Sequence, residues 1–301
     1  GLSERQIEMI ELDVGGGFGS RGEFYPEDFL IPFASRALDR PVKWIEDRRE
    51  HLLCANHARE IECDIEIAAT EDGRILSLRG ESWSDNGAYI RTNGSVAPRN
   101  VAQFMSGPYD IENIRLTTHM LTTNKTPAGT YRAPGRFEAD FVRERLIDLL
   151  AKDLGLDRVE IRRRNLVSDA QMPYPLPTIT PYESATELDS GDYHALFDRC
   201  LEDFGWSEKV KLQGKLVNGR YHGVSIGSFI EGGAAGPSED ARIVLETDGS
   251  FSVYVGSAAL GQDIETIMAQ IAGDALEVPF DRIRVRHGST DHVTEGYGSY
   301  H

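Results

Sequence analysis

Apolar and acidic residues alternate from Ile7 to Val14, a period of two that predicts a strand running into the glycine cluster Gly15-Gly16-Gly17-Phe18-Gly19. Pro26 stands where a helix would begin, and Phe29, Leu30, Phe33, Ala34 and Ala37 fall at helical spacing up to Leu38. Pro41 to Glu46 reads as the next strand. The alternating stretch from Arg59 to Asp85 is interrupted by Glu71-Asp72-Gly73, which predicts a long hairpin. Residues 86–131 are loop-rich, with a further strand pair expected around Ile114 to Leu121. Phe141, Val142, Leu146, Leu149, Leu150 and Leu154 mark an amphipathic helix closed by Gly155. Asp157-x-x-Glu160 then opens a short arginine-rich helix.

From Ser168 to Asp192 periodic apolar residues are few, and Pro173, Pro175, Pro177 and Pro181 punctuate the chain, as in a connection between two lobes. The second lobe partly echoes the first. Ala241 to Val255 reads as a strand pair turning at Thr247-Asp248-Gly249, and Ile264, Ile267, Met268, Ile271 and Ala275 line one face of a following helix. Hairpins outnumber strand-helix-strand units, so the expected class is α+β, two lobes of mixed sheets with packed helices. The first lobe is expected over residues 1–167, the connection over 168–192 and the second lobe over 193–301.

The chain of 301 residues, 40% hydrophobic and 27% charged, can bury a sizeable core. No apolar run is long enough to span a bilayer. The balance of 32 Lys and Arg against 49 Asp and Glu, a net charge of −17, argues against nucleic acid as a partner, and Arg162-Arg163-Arg164 does not reverse it. Cys54, Cys63 and Cys200 form no C-x-x-C pair and cannot supply the four thiolates of an iron–sulfur cluster. They fit a reducing, cytoplasmic setting. Both ends read as cut, as in part of a longer polypeptide.

Several motifs carry chemistry in principle. Gly17-x-Gly19-x-x-Gly22, with Glu46 beyond, spells the dinucleotide fingerprint of a nicotinamide-dependent dehydrogenase, although Phe18 crowds the turn and Pro26 delays the helix. Gly223-x-Ser225-x-Gly227 spells a nucleophile elbow, but its alternation with Val224 and Ile226 reads as a strand with one small-residue face. The histidines show no metal-ligand spacing, and His287 and His292 read as surface residues, so a metal held by side chains is not expected. In Ala128-Gly-Thr-Tyr-Arg132-Ala-Pro-Gly-Arg136, the prolines and glycines fix the backbone around an arginine that could stabilise an anionic oxygen or simply be solvated. Gly261-Gln262-Asp263 places a bifunctional amide and a candidate N-cap at a helix start.

Asp13-Val-Gly-Gly-Gly-Phe18-Gly19, then Gly129-Thr-Tyr-Arg132-Ala-Pro-Gly-Arg136-x-Glu138-Ala, then Gly256-Ser-x-x-x-Gly261-Gln262 resemble, in that order, the molybdopterin-binding large subunit of the xanthine oxidase and aldehyde oxidase family of molybdenum hydroxylases. The stretch from Gly288-Ser-Thr-Asp291 to Gly298-Ser299 is similar to a later cofactor-contact segment of that family. The resemblance implies a molybdenum–molybdopterin cofactor, in its cytosine dinucleotide form, held in a crevice between the lobes. It implies that Gly17, Phe18, Gly19 and Arg132 bind the cofactor, that Phe18 and Gly19 lie over the metal ligands and that Arg132 faces substrate or metal oxygen, Phe18 and Arg132 being the candidate catalytic pair. Gly261, Gln262, Gly298 and Ser299 are implied to bind the pterin cofactor. The implied reaction is hydroxylation of an aldehyde or N-heteroaromatic carbon of a small-molecule substrate, with water as the oxygen source. Electrons leaving the metal require an iron–sulfur subunit and an FAD subunit, or equivalent domains.

Three departures qualify the resemblance. Asp263 stands where the family carries a third glycine. Ala133 stands where copper-dependent carbon monoxide dehydrogenases carry a cysteine, which argues against that activity. The family's glutamate base is expected beyond residue 301, so this portion alone is expected to be inactive. The alternatives are the dehydrogenase built on Gly17 to Gly22 and a non-catalytic binding module with the same fold.

Overall fold

The computed structural model describes residues 2–176, 187–231, 238–293 and 295–296. By its internal contacts the chain forms two compact units, a larger one of Gly22–Glu231 and a smaller one of Gly1–Arg21 with Gly232–His301. Residues 1–21, expected with the first lobe, therefore group with the C-terminal portion. The described part of 168–192, expected as a connection, lies within the larger unit, where Met172, Tyr174, Leu176 and Leu188 pack with Phe104 and Val167.

The larger unit opens with α1 (Pro26–Leu38) and α2 (Arg48–Cys54). Asp47 caps α2 by accepting the Glu50 amide, and the Glu50 carboxylate accepts the Asp47 amide in return. β1 (Ile61–Ala69) and β2 (Ile75–Asp85) form the expected antiparallel hairpin. Ile61, Cys63, Ile65 and Ile67 of β1 turn towards the core, and Glu62, Asp64 and Glu66 alternate with them, so the period of two is realised directly. The chain crosses through α3 (Val96–Gln103) to β3 (Asn113–Leu121), which lies parallel to β2. The strand pair expected around Ile114 to Leu121 is thus a single strand, its partner supplied by β2.

α4 (Arg136–Leu154) ends at Gly155 in the left-handed conformation. α5 (Arg158–Asn165) is capped by the Asp157 side chain, which accepts the Val159 and Glu160 amides. Beyond them come the short pair β4 (Tyr174–Pro175) and β5 (Glu187–Leu188), α6 (Tyr193–Phe204), α7 (Trp206–Lys209), and the pair β6 (Leu216–Val217) and β7 (Arg220–Tyr221). Ile75, Leu78, Val101, Tyr109, Ile147 and Ile161 are central to the core. Within it Arg143 and Arg162 are completely buried. Arg143 donates to Asp140 at 2.5 Å, Glu144 at 3.0 Å and the Phe104 carbonyl at 3.1 Å. Arg162 donates to Glu144 at 2.8 Å and Asp148 at 2.9 Å. Each buried cation therefore has several acceptors, without which its desolvation would be prohibitive.

In the smaller unit β8 (Ala241–Leu245) and β9 (Phe251–Val255) form the expected hairpin. α8 (Ile264–Leu276) packs on them, and β10 (Ile283–Arg286) joins β9 in parallel. Both principal sheets are mixed, as the α+β reading requires.

Three expected strands do not form. Ile7 to Val14 makes one isolated bridge, Ile10 with Ser289, because the Met9 amide donates to the Thr290 hydroxyl and the Val14 amide to the Ala259 carbonyl, so no continuous ladder develops. Pro41 to Glu46 pairs with no strand among the described residues; Pro41 has no amide to contribute. Residues 223–230 also lack a ladder, because the Val224 and Ser228 carbonyls accept the guanidinium groups of Arg158 at 3.2 Å and Arg143 at 2.6 Å. Residues 226–231, directly after Ser225, form no helix, so they lack the strand–turn–helix of a nucleophile elbow. Without strands flanking the first glycine loop, the dinucleotide-binding reading fails as well.

Candidate cofactor site

The smaller unit brings the first glycine loop to the Gly261-Gln262 loop. A Cβ at Gly17 would lie 3.5 Å from the Leu260 side chain, and the Val14 amide donates to the Ala259 carbonyl at 3.0 Å. Just upstream, the Glu11 amide donates to the Gly288 carbonyl at 2.7 Å and Ser289 Oγ to Glu8 Oε1 at 2.9 Å. The expected Gly288–Asp291 stretch thus borders the same N-terminal segment. Gly298 and Ser299 lie outside the described residues.

Phe18 adopts φ 48°, a left-handed conformation that a bulky residue rarely keeps. Its ring folds over Gly16, where a Cβ would fall 2.4 Å from Cε2, and the residue is 57% exposed. Glycine at 16 is what lets the ring lie flat on the backbone. At Gly15 and Gly261 a Cβ would meet nothing within 4 Å, so the loops leave open space beside bare backbone. The Gln262 side chain closes its own turn: Oε1 accepts the Leu260 amide at 2.6 Å and Nε2 donates to the Ala258 carbonyl at 2.7 Å. Asp263 occupies the N-cap position of α8 at φ 62°, yet its side chain makes no cap bond. The carboxylate instead accepts the Thr266 hydroxyl at 2.9 Å and is turned onto the first turn of the helix.

In the larger unit, Arg132 is exposed at the end of a tightly held loop. The Gly129 amide donates to the His57 carbonyl at 3.0 Å, and a Cβ at Gly129 would fall 2.5 Å from Asn56 Nδ2 and 2.9 Å from Glu23 Oε1. Burial pushes the Glu23 carboxyl above its ordinary range, although the Asn93 amide donates to it. Ala133 has φ 54° and Gly135 φ 76°. Gly135 packs so closely on α3 that a Cβ there would lie 2.1 Å from the Ala97 carbonyl, and Asn100 Nδ2 donates to the Pro134 carbonyl at 2.9 Å. The turn after Arg132 is therefore anchored before α4 begins.

Glu23, Asn56 and Arg59 were missed in the sequence. Glu23 and Asn56 sit between predicted elements, where neither periodicity nor a motif marks them, and Arg59 heads the predicted hairpin, where its one signal is the charged pair Arg59-Glu60 at the start of the alternating run. His287 departs from its expected surface position: its side chain is only 10% exposed and Nε2 meets Glu265 at 3.3 Å. Among the described residues no three His, Cys, Asp or Glu side chains are grouped to hold a metal. The open glycine backbone and an Asp263 carboxylate engaged by Thr266 suit a flat cofactor that brings its own metal ligands.

Molybdopterin cofactor-binding domains match residues 1–166 and 199–300. The chain belongs to this family, that of the large subunits of xanthine oxidase-type molybdenum hydroxylases. It is 35% identical over 99% of its length to the 6-hydroxypseudooxynicotine dehydrogenase complex subunit gamma of Paenarthrobacter nicotinovorans, of which it covers 38%. It is 33% identical to the carbon monoxide dehydrogenase large chain of Hydrogenophaga pseudoflava, over all of this chain and 39% of that one. Among solved structures, quinoline 2-oxidoreductase from Pseudomonas putida 86 superposes with a TM-score of 0.88 at 32% identity, covering 99% of this chain and 39% of that one. The chain thus spans about two-fifths of the relatives it matches.

Proposed function

We propose that this chain is the cofactor-binding portion of a molybdenum hydroxylase that hydroxylates an electron-poor carbon of a small molecule, an N-heteroaromatic ring or an aldehyde. The observation that carries this reading is the juxtaposition of the Gly15–Gly19 loop with the Gly261-Gln262 loop, with open space at both. A ring-shaped substrate is favoured by the names of two of the similar proteins, a 6-hydroxypseudooxynicotine dehydrogenase subunit and a quinoline 2-oxidoreductase.

When bound, the molybdenum–pterin group supplies the two-electron oxidation. Gly17, Phe18 and Gly19 would present backbone and an aromatic ring to it, and Gln262, which closes its own turn, would shape the second loop that holds it. Asp263 keeps its carboxylate on α8, which spares an anionic diphosphate from repulsion. Arg132 orients an anionic oxygen near the reacting carbon through its fixed donor fork. The cytosine dinucleotide form of the cofactor, an iron–sulfur and an FAD partner, and a cytoplasmic setting belong to the same proposal; the three free thiols support the last.

The test is metal and pterin analysis of the full-length protein purified with its partner subunits. Equimolar molybdenum and pterin, with CMP released by acid, are expected. A preparation with neither molybdenum nor pterin supports a non-catalytic module instead.

A further inference from the structure

Immediately before β1 the backbone adopts a conformation that the strand does not explain. Arg59 has φ 69°. A long side chain stays in the left-handed region only where its surroundings enforce it, and such positions gather at functional sites. The contacts that enforce it here all lie on one short stretch. Arg59 Nη2 donates to the Arg132 carbonyl at 2.5 Å, and Nη1 to Glu138 Oε1 at 3.3 Å. The guanidinium lies 4.2 Å from the Phe137 ring centroid and 5.2 Å from that of Tyr131. One planar group thus spans the turn from residue 131 to residue 138.

The fork is itself held in place. Glu138 is 8% exposed, and its other carboxylate oxygen is buried without a hydrogen-bond partner, so Arg59 offsets a charge that is otherwise poorly solvated. Three residues upstream the same segment grips the start of the loop, through the His57 carbonyl to Gly129 and the Asn56 amide against it. Ala133, the residue after the gripped carbonyl, is also left-handed. Fixing the oxygen of residue 132 fixes the plane of the 132–133 peptide. With the turn after it already anchored on α3, the direction of the Arg132 Cα–Cβ bond has little freedom left.

We propose that Arg59 is a positioning residue: its guanidinium, seated on Glu138 and Phe137, sets the 132–133 peptide plane and so aims the Arg132 side chain. The proposal rests on the reading of Arg132 given above. Lysine cannot replace the arginine fully, because an ammonium offers no planar fork to serve a carbonyl and a carboxylate at once.

The test uses the full-length protein with its partner subunits and compares wild type with Arg59→Gln and Arg59→Lys. Hydrogen exchange of peptides covering 128–138 is expected to quicken about tenfold in Arg59→Gln and by less in Arg59→Lys, while β2 and the C-terminal half of α4 stay within about twofold. Molybdenum and pterin content should be unchanged, and the paramagnetic resonance spectrum of the reduced molybdenum centre should shift, a signature that mere loss of stability does not produce. Unchanged exchange and an unchanged spectrum in Arg59→Gln overturn the proposal, as does acceleration spread evenly over β2 and α4. If Arg59→Gln is not recovered folded, Arg59→Lys carries the same comparison. A wild-type protein without molybdenum and pterin sinks the functional reading, whereas the exchange measurement still decides whether Arg59 braces the loop.

Discussion

In the larger unit β1 and β2 form a hairpin through Asp72-Gly73, and β3 returns through α3 to lie parallel to β2; in the smaller unit β8 and β9 do the same through Asp248-Gly249, and β10 returns through α8 to lie parallel to β9. The turns also share their chemistry. Thr70 donates its hydroxyl to Asp72, Ser250 donates its own to Asp248, and an arginine faces each aspartate, Arg164 at 3.4 Å and Arg284 at 3.1 Å. The anchoring differs. The strands of the larger sheet run 9, 11 and 9 residues against 5, 5 and 4 in the smaller, so the larger has more surface to pack. Beneath the larger hairpin the fully buried Asn165 donates to the Gly73 carbonyl at 2.8 Å and accepts the Ile75 amide at 2.8 Å. Behind it stand the buried Arg143 and Arg162. The same connection pattern is thus tied into a polar interior in one unit and held by surface pairs in the other. One topology does not imply one source of rigidity.

Removing the interior ties should break this contrast most. Arg162→Ala leaves Asp148 without its buried cation and Glu144 with Arg143 alone, and is expected to destabilise the larger unit by about 3–5 kcal/mol. Arg284→Ala in the smaller sheet removes an exposed pair and should cost far less. Trp44, Trp83 and Trp206 all lie in the larger unit, so tryptophan fluorescence during urea unfolding isolates the first effect, and amide exchange in β8 and β9 reads the second. Equal losses in the two variants would show that the buried network carries no special weight.

Next in size, Asn165→Ala orphans the Ile75 amide and the Gly73 carbonyl and is expected to cost about 2–4 kcal/mol on the same fluorescence curve. The turn glycines sharpen the comparison further. At Gly73 (φ 87°) a Cβ would fall 2.6 Å from Leu156 Cδ1, whereas at Gly249 (φ 79°) it would meet only the far end of the long Arg282 side chain, at 2.6 Å. Both alanine variants carry backbone strain of about 1–2 kcal/mol. Only Gly73→Ala adds a packing penalty, of about 1 kcal/mol or more. A Gly249→Ala variant that loses as much as Gly73→Ala contradicts this.

The effects of pH come last, and their signs are opposite. Burial raises the Asp140 carboxyl to about 6, from an ordinary 3.8, against the pull of Arg143, with Glu144 and Glu231 adding to the rise. The native state therefore holds this proton more tightly than the unfolded chain does. The contribution is fully present below about pH 4 and is lost as pH rises through 6. Asp248, exposed at the turn, is lowered to about 2 by its bonds from Ser250 and by Arg284, so its contribution is present above about pH 4 and is lost as pH falls through 2. Asp140→Asn should flatten the fluorescence-detected stability of the larger unit between pH 4 and 6. Asp248→Asn should flatten only the acid limb of exchange in β8 and β9. A curve unchanged in shape for Asp140→Asn would contradict the first.

Much of the scaffold was legible in the sequence because its causes are local. The alternation of Ile61 to Ile67, the caps at Asp157 and Gly155 and the Asp-Gly turns each act within a few residues. The exceptions share a cause as well. Ile7 to Val14 and residues 223–230 have pattern enough for strands, but their backbone groups are engaged by Thr290, Arg158 and Arg143 from distant parts of the chain. Arg162, one of three successive arginines, is wholly buried while Arg163 pairs with Asp198 near the surface, a choice that no property of the triplet announces. For the candidate site, Phe18, Arg132 and Gln262 stood out by motif, whereas Arg59, Asn56 and Glu23 emerged only through the loop they grip.

What the amino-acid order settled alone was the menu of elements, the turn chemistry and the glycine loops, since each depends on φ preferences and side-chain reach over a turn or two. Folding in three dimensions decided which of those pieces meet. The Met9 amide finds Thr290 across a separation of 281 positions, and an arginine before β1 takes hold of the carbonyl of Arg132. Such contacts depend on chain closure and on competition for buried hydrogen-bonding groups, and both are properties of the whole packed interior rather than of any short window.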